Sequence, residues 1–273
     1  MHLQKNDSIL PVTRIVALIV APFLPAAFYI LYLHPETSGE RFAWEIEPAM
    51  MAGFMGAGYL AGAYFFLNVL IGRTWHRVAT VFPAIIAFTT GMLLATIIHW
   101  ERFDIHHLPF QAWLVLYIIT PFLVSGIWLY NRQTDPITPE AEDLIVPNMV
   151  RLAVRVIGAM LTLIAIVSFL APQLFIQTWP WDLTPLTARV LSGWIFMLGI
   201  GSLFLSPEQR WSCWKIVMKT LGIWEILILT AGFMQPQDLN PGWLNWLFVL
   251  IVLQLISMIV LYFNMGARRH KTA

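Results

Sequence analysis

The sequence predicts an all-α integral membrane protein: eight transmembrane helices in two tandem, parallel four-helix repeats, with both termini in the cytoplasm. Three observations predict it. Apolar runs long enough to cross a bilayer recur, basic residues are sorted to alternate loops, and the two halves share a register of rare residues. Of 273 residues, 59% are hydrophobic and 11% charged, whereas a soluble domain carries about 25% charged residues. A soluble surface of this size cannot be covered with so little charge.

Spans read at 13–33, 49–72, 77–99, 110–130, 149–171, 185–206, 212–234 and 243–265. Each has the roughly twenty residues that cross about 30 Å of hydrocarbon. Lipid offers the backbone no partners, so each span must be a helix. Turn formers fill the intervals: Pro35, Pro48, Pro109, Pro136, Pro139, Pro172, Pro180, Pro185 and Pro241. The segments divide into a first repeat (1–130), a polar cytoplasmic linker (131–147) and a second repeat (148–273).

With the N-terminus inside, 13 of the 16 Lys and Arg lie in inner segments, leaving only Arg41, Arg102 and Arg189 outside. The positive-inside rule then sets both termini in the cytoplasm. Trp44, Trp100, Trp113, Trp179, Trp181, Trp243 and Trp246 fall near the outer boundary, and Trp75, Trp128, Trp211 and Trp214 near the inner one. Interfacial depth suits an indole with one polar N–H. Only Trp194 and Trp224 lie well inside spans.

The halves align at an offset of 137 residues. Arg14 meets Arg151, Pro35 meets Pro172, Gly56 meets Gly193, and Gly62 meets Gly199. Trp44-Glu45-Ile46-Glu47-Pro48 meets Trp181-Asp182-Leu183-Thr184-Pro185. Rare residues holding one register indicate a tandem duplication. An even number of spans per repeat makes the copies same-facing rather than inverted. The first span, basic at its start and carrying Ala26-Ala27, resembles a signal peptide. It is instead the counterpart of the fifth span and is expected to stay.

The repeated Trp-acid-x-x-Pro element reads as a helix start. Pro in the first turn loses no hydrogen bond. The acid, Glu45 or Asp182, is expected to face the positive helix end, and Trp44 and Trp181 to anchor the approach at the interface. A ligand site there is the second reading. Gly53, Gly56, Gly58 and Gly62, with Gly193, Gly199 and Gly201, read as a close-packed seam. The Gly58–Gly62 spacing also suits a homodimer face.

Few residues carry chemistry. One outer loop holds His99, Glu101, Asp104, His106 and His107, and another His34, Glu36, Glu40, Glu45 and Glu47. Imidazole with carboxylate suits a divalent metal, although the spacing matches no known zinc motif. His99, Asp104, His106 and His107 are the weak metal candidates, and solvated loop residues are the bland alternative. Glu225 sits mid-span, where an unpaired charge costs several kcal/mol. Arg189 is its expected partner. It lies about 6 Å below the outer end of the sixth span, and Glu225 about 13 Å below that of the seventh. Such a pair is either a structural clip or a proton or substrate site. The linker acids read as solvated, and His76, beside Arg73 and Arg77, as a loop residue. Arg268, Arg269 and Lys271 form a basic tail suited to anionic lipid.

The segment Trp179-Pro180-Trp181-Asp182-Leu183-Thr184-Pro185-Leu186-Thr187-Ala188-Arg189 resembles one that recurs in uncharacterised bacterial multi-pass membrane proteins. There a Trp-Pro-Trp, a Thr-Pro and an Ala-Arg precede a Gly-rich span. The first repeat departs from it, with Ala43-Trp44-Glu45 and Ala52. The resemblance implies a multi-pass protein of a bacterial inner membrane and carries no activity.

Phosphate loops, nucleophile elbows, zinc-protease motifs and paired haem histidines are absent, and the sequence names no cofactor. Nucleic acid is excluded as a partner, since no basic arm is present. The expected partners are the bilayer and either other membrane subunits or a second copy. The expected function is that of a non-enzymatic accessory or structural subunit, or a binder of lipid or partner helices. A transporter with a site near Glu225 and Arg189 is the second class. A membrane enzyme using the outer His and acid cluster is the third.

Overall fold

The computed structural model describes residues 5–140, 143–241 and 244–272. Eight helices are long and apolar enough to cross a membrane: α1 (Pro11–Leu33), α2 (Ala49–Ile71), α3 (His76–Ile98), α4 (Leu108–Thr134), α5 (Asn148–Leu170), α6 (Pro185–Leu205), α7 (Trp211–Met234) and α8 (Leu244–Thr272). Their positions follow the apolar runs to within a few residues. Trp243, one of the expected interfacial anchors, lies outside the described residues, as do the Arg269 and Lys271 side chains.

Local sequence explains the helix starts and breaks. The α1 span is interrupted around Pro22 and Pro25 and ends in a π-helical turn, Tyr29–Leu33. Proline removes a donor and clashes one turn back, so a long helix there must break. Helix α6 opens on a capping box. The Thr187 N–H donates to Thr184 Oγ1 at 3.2 Å, and the Thr184 N–H donates to Thr187 Oγ1 at 2.8 Å. Such a cap contributes about 1 kcal/mol. At the other end of α2, Arg14 donates to the carbonyls of Leu70 (2.5 Å) and Gly72 (2.6 Å), a cation on the negative helix end.

The helices do not pack in chain order. Helix α2 packs on α1 and α7, and α6 packs on α5 and α3, while α4 lies against α3 and α8 against α7. Consecutive helices α6 and α7 are not principal partners. The α3–α6 crossing is tight: a Cβ on Gly91 would lie 3.1 Å from Gly193 Cα. Gly53 faces Ala231 of α7, Gly199 faces Thr162 of α5, and the space beside Gly58 is filled by the Trp194 ring. The small residues therefore bring helices of one chain together, and Gly58 presents no free dimer face.

Two expectations for the helix-start elements are corrected. Trp44 and Trp181 turn into the protein rather than outward. Both are buried, Trp181 completely. Trp44 packs on Phe42, Phe103 and Trp113, and Trp181 on Phe54 and Trp179. Edge-to-face and tilted ring contacts hold them there. Glu45 and Asp182 are exposed and bond no helix N-terminus. The acid at the start of α2, just after Pro48, is Asp238 from the opposite half, whose Oδ2 accepts the Met50 N–H at 2.9 Å.

Candidate functional site

The middle of the bundle is aromatic and incompletely filled. Trp194 of α6 sits among Phe54, Tyr59, Phe88 and Trp224, with ring centroids 4.3–6.1 Å apart. The Trp224 indole donates to the Phe54 carbonyl at 3.2 Å, bridging α7 and α2. Beside this cluster lies a cavity of about 1050 Å³, lined by side chains from all eight helices. The volume is at the upper end of the roughly 300–1,000 Å³ usual for ligand sites. Phe23, Met160 and Leu253 of its lining are more than half exposed, so the cavity opens sideways between helices.

Its polar groups are few. The Tyr59 and Tyr117 hydroxyls meet at 3.1 Å within the lining. One donates to the other, which leaves the second hydroxyl hydrogen without a described acceptor. The Trp194 indole N–H, fully buried, also has no partner. Thr89 and Thr120 donate back to carbonyls of their own helices, as such residues commonly do.

Arg189 and Glu225 are not paired. Arg189 donates through Nε to the Phe169 carbonyl (3.1 Å) and through Nη1 to His99 Nε2 (2.8 Å). Glu225 is buried, and its carboxylate has no hydrogen bond or ion pair among the described residues. The physical reason is the exchange of helices. Arg189 faces α5 and the end of α3, and α7, which carries Glu225, packs on α2 and α8 rather than on α6.

The outer metal candidates do not converge. His99 is spent on Arg189, and His107 Nε2 bonds the Phe42 carbonyl at 2.9 Å. Asp104 accepts the His106 N–H at 2.9 Å, a local turn. A guanidinium has no acceptor, so the His99 ring meets Arg189 with a bare Nε2. Partial burial and the Arg189 charge pull the His99 pKa below its ordinary value.

The polar density lies instead at the end that gathers the N-terminus and the linker. His76, read as a loop residue, is completely buried. Its Nδ1 bonds Asp7 Oδ2, and its Nε2 lies 2.8 Å from Ser212 Oγ. Ser212 donates its hydroxyl to Asp143 Oδ2 and its N–H to Asp143 Oδ1 (3.0 Å). Glu140 takes a bidentate bond from Arg77, at 2.7 and 2.9 Å, which holds its carboxyl below the usual range. Arg210, 5% exposed, forks onto Asp135 (2.8 and 3.0 Å) and Glu208 (2.6 and 2.8 Å). Burial opposes ionisation of both acids, but the Arg210 bonds outweigh it and their pKa values fall. Asp135 and Asp143 are therefore bound rather than solvated, and Glu140 is bound although exposed. The chain pattern hid this, because the partners lie 63 to 75 residues away.

The chain matches no protein-family model, no curated protein and no solved structure.

Proposed function

We propose that this is a non-enzymatic multi-pass protein of a bacterial cytoplasmic membrane that binds a lipophilic molecule within the bilayer. One observation carries the reading: the apolar, aromatic-walled cavity of about 1050 Å³ reached from between the helices. An empty space of this size in hydrocarbon is filled by acyl chains or by a dedicated ligand. Unpaired hydroxyl and indole donors beside apolar walls favour a ligand with a hydrogen-bond acceptor on a long apolar body.

The exchanged packing supports two same-facing halves. The 137-residue offset carries α2 onto α6 and α3 onto α7, so the α2–α7 contact maps onto the α6–α3 contact. The charge sorting supports termini and linker on the cytoplasmic side.

The test is to extract the protein in mild detergent, reconstitute it in nanodiscs, and analyse its organic extract by mass spectrometry. One lipophile is expected to be enriched near one per chain over bulk lipid, and to be depleted in Ala27→Trp, which puts a bulky ring into the cavity wall. An extract matching bulk lipid in both proteins contradicts the reading.

Glu225 favours a second reading, passage of a cation past a buried, unpartnered carboxyl. The cavity lining includes Trp224 and Leu221 but not Glu225, which places the binding reading first. Ion flux in proteoliposomes that vanishes in Glu225→Gln would reverse the order.

A further inference from the structure

With a neutral imidazole, the cluster around His76 has a proton count that its own groups do not close. The Ser212 hydroxyl hydrogen goes to Asp143. A neutral imidazole has one N–H, and Asp7, a carboxylate, accepts it from Nδ1. Nε2 is then a bare lone pair. It faces the Ser212 oxygen at 2.8 Å, Glu140 Oε1 at 3.7 Å and Asp143 Oδ2 at 4.0 Å. Four heteroatoms converge there, and the one hydrogen among them lies between Ser212 and Asp143, so Nε2 receives none. Charge points the same way. Asp7, Glu140 and Asp143 carry three negative charges, and Arg77 is the cation bonded within the group. Lys215 acts on Glu140 only at longer range, and Arg210 is committed to Asp135 and Glu208. His76 is fully buried, with the Asp143 side chain 5% and the Asp7 side chain 15% exposed. Water screens Glu140, whose side chain is 39% exposed and paired with Arg77, but does little for Asp7 and Asp143.

We infer that His76 Nε2, Glu140, Asp143 and the Ser212 hydroxyl form a binding site for a divalent transition cation, with Asp7 holding the imidazole by Nδ1. A ligating histidine typically gives its second nitrogen to a carboxylate, which sets the tautomer and ring orientation. Ligands about 2.0–2.2 Å from a tetrahedral ion stand roughly 3.4 Å apart. The Nε2–carboxylate separations of 3.7 and 4.0 Å need to close by a few tenths of an ångström, and the Ser212 oxygen, 2.8 Å from Nε2 and hydrogen-bonded to Asp143, needs to swing outward. One nitrogen with oxygen donors suits zinc or manganese better than a soft metal. The nearby thiol of Cys213 is turned to Thr80. The ligands come from the linker, α3 and α7, and their orienting carboxylate from the N-terminal segment. A bound ion therefore clamps these pieces together.

The test uses the full chain in nanodiscs, stripped with chelator and titrated with zinc alone by calorimetry. X-ray absorption then reads the coordination shell. The expected result is one zinc per chain with a mixed nitrogen and oxygen shell at about 2.0–2.1 Å. Affinity should fall at least tenfold in Glu140→Gln and Asp143→Asn and stay unchanged in His106→Asn at the far end of the bundle. Glu140 is partly exposed and its removal spares the buried core, so that variant remains informative if Asp143→Asn does not fold. Two results overturn the inference. One is zinc binding that survives Glu140→Gln or is abolished by His106→Asn. The other is absence of zinc binding, with a doubly protonated His76 ring by nitrogen NMR at pH 7, which would make the missing cation a proton.

Discussion

At the scale of single residues, several buried indole N–H groups have no partner among the described residues, and Glu225 is the buried carboxylate that has none. An unsatisfied buried polar group costs about 1–3 kcal/mol. Glu225→Leu is therefore expected to raise stability by about that amount in thermal unfolding in detergent, and a loss of stability would reveal a hidden partner. His99 behaves oppositely. Burial and Arg189 lower its pKa from 6.5, so the unfolded chain binds its proton first as pH falls. The contribution is whole above about pH 6.5 and declines below it. Melting at pH 8 and 5.5 should show a larger acid loss for the parent than for His99→Gln, whose amide oxygen still accepts from Arg189. Equal losses would contradict the assigned tautomer.

At the scale of elements, helix crossings depend on what fits between them. Gly193 of α6 meets Gly91 and Met92 of α3, and Gly193→Val overpacks this crossing, with an expected loss of about 1–3 kcal/mol. Gly126 of α4 has nothing within 4 Å of an added Cβ, so Gly126→Ala should gain about 0.5–1 kcal/mol. Paired denaturation curves in one detergent check both, and similar responses would contradict the assigned crossing. Helix positions were legible because hydrocarbon demands unbroken apolar runs, and such runs announce themselves residue by residue. The Gly-rich faces of α2 and α6 were legible for the same reason. Which helix each face meets was not. Sequence adjacency suggested α6 beside α7, and that placed Arg189 with Glu225. The fold crosses the halves, and Arg189 reaches His99 instead. His76 was missed because its neighbours Arg73 and Arg77 look like loop charge, while its partners Asp7, Asp143 and Ser212 lie far along the chain. A histidine flanked by one exposed and one paired arginine carries no local sign of burial.

At the scale of the whole molecule, two ends of different character bracket an apolar middle. One end gathers the segment around Asp7, the linker, His76, Arg77 and Arg210 into a bonded network. The other buries Trp44, Trp113, Trp179 and Trp181 in aromatic clusters. The cavity between them is read as a lipophile site because the eight helices are read as crossing lipid, and the direction of that crossing, with the linker inside, is the central claim about the whole molecule. Single cysteines at Thr138 in the linker and Ile105 in the opposite loop, in a Cys213→Ala background, measure it directly with a membrane-impermeant maleimide on intact cells. Labelling of Ile105→Cys alone, with Thr138→Cys reacting only after the membrane is opened, is the predicted result. Labelling of Thr138→Cys on intact cells would contradict it.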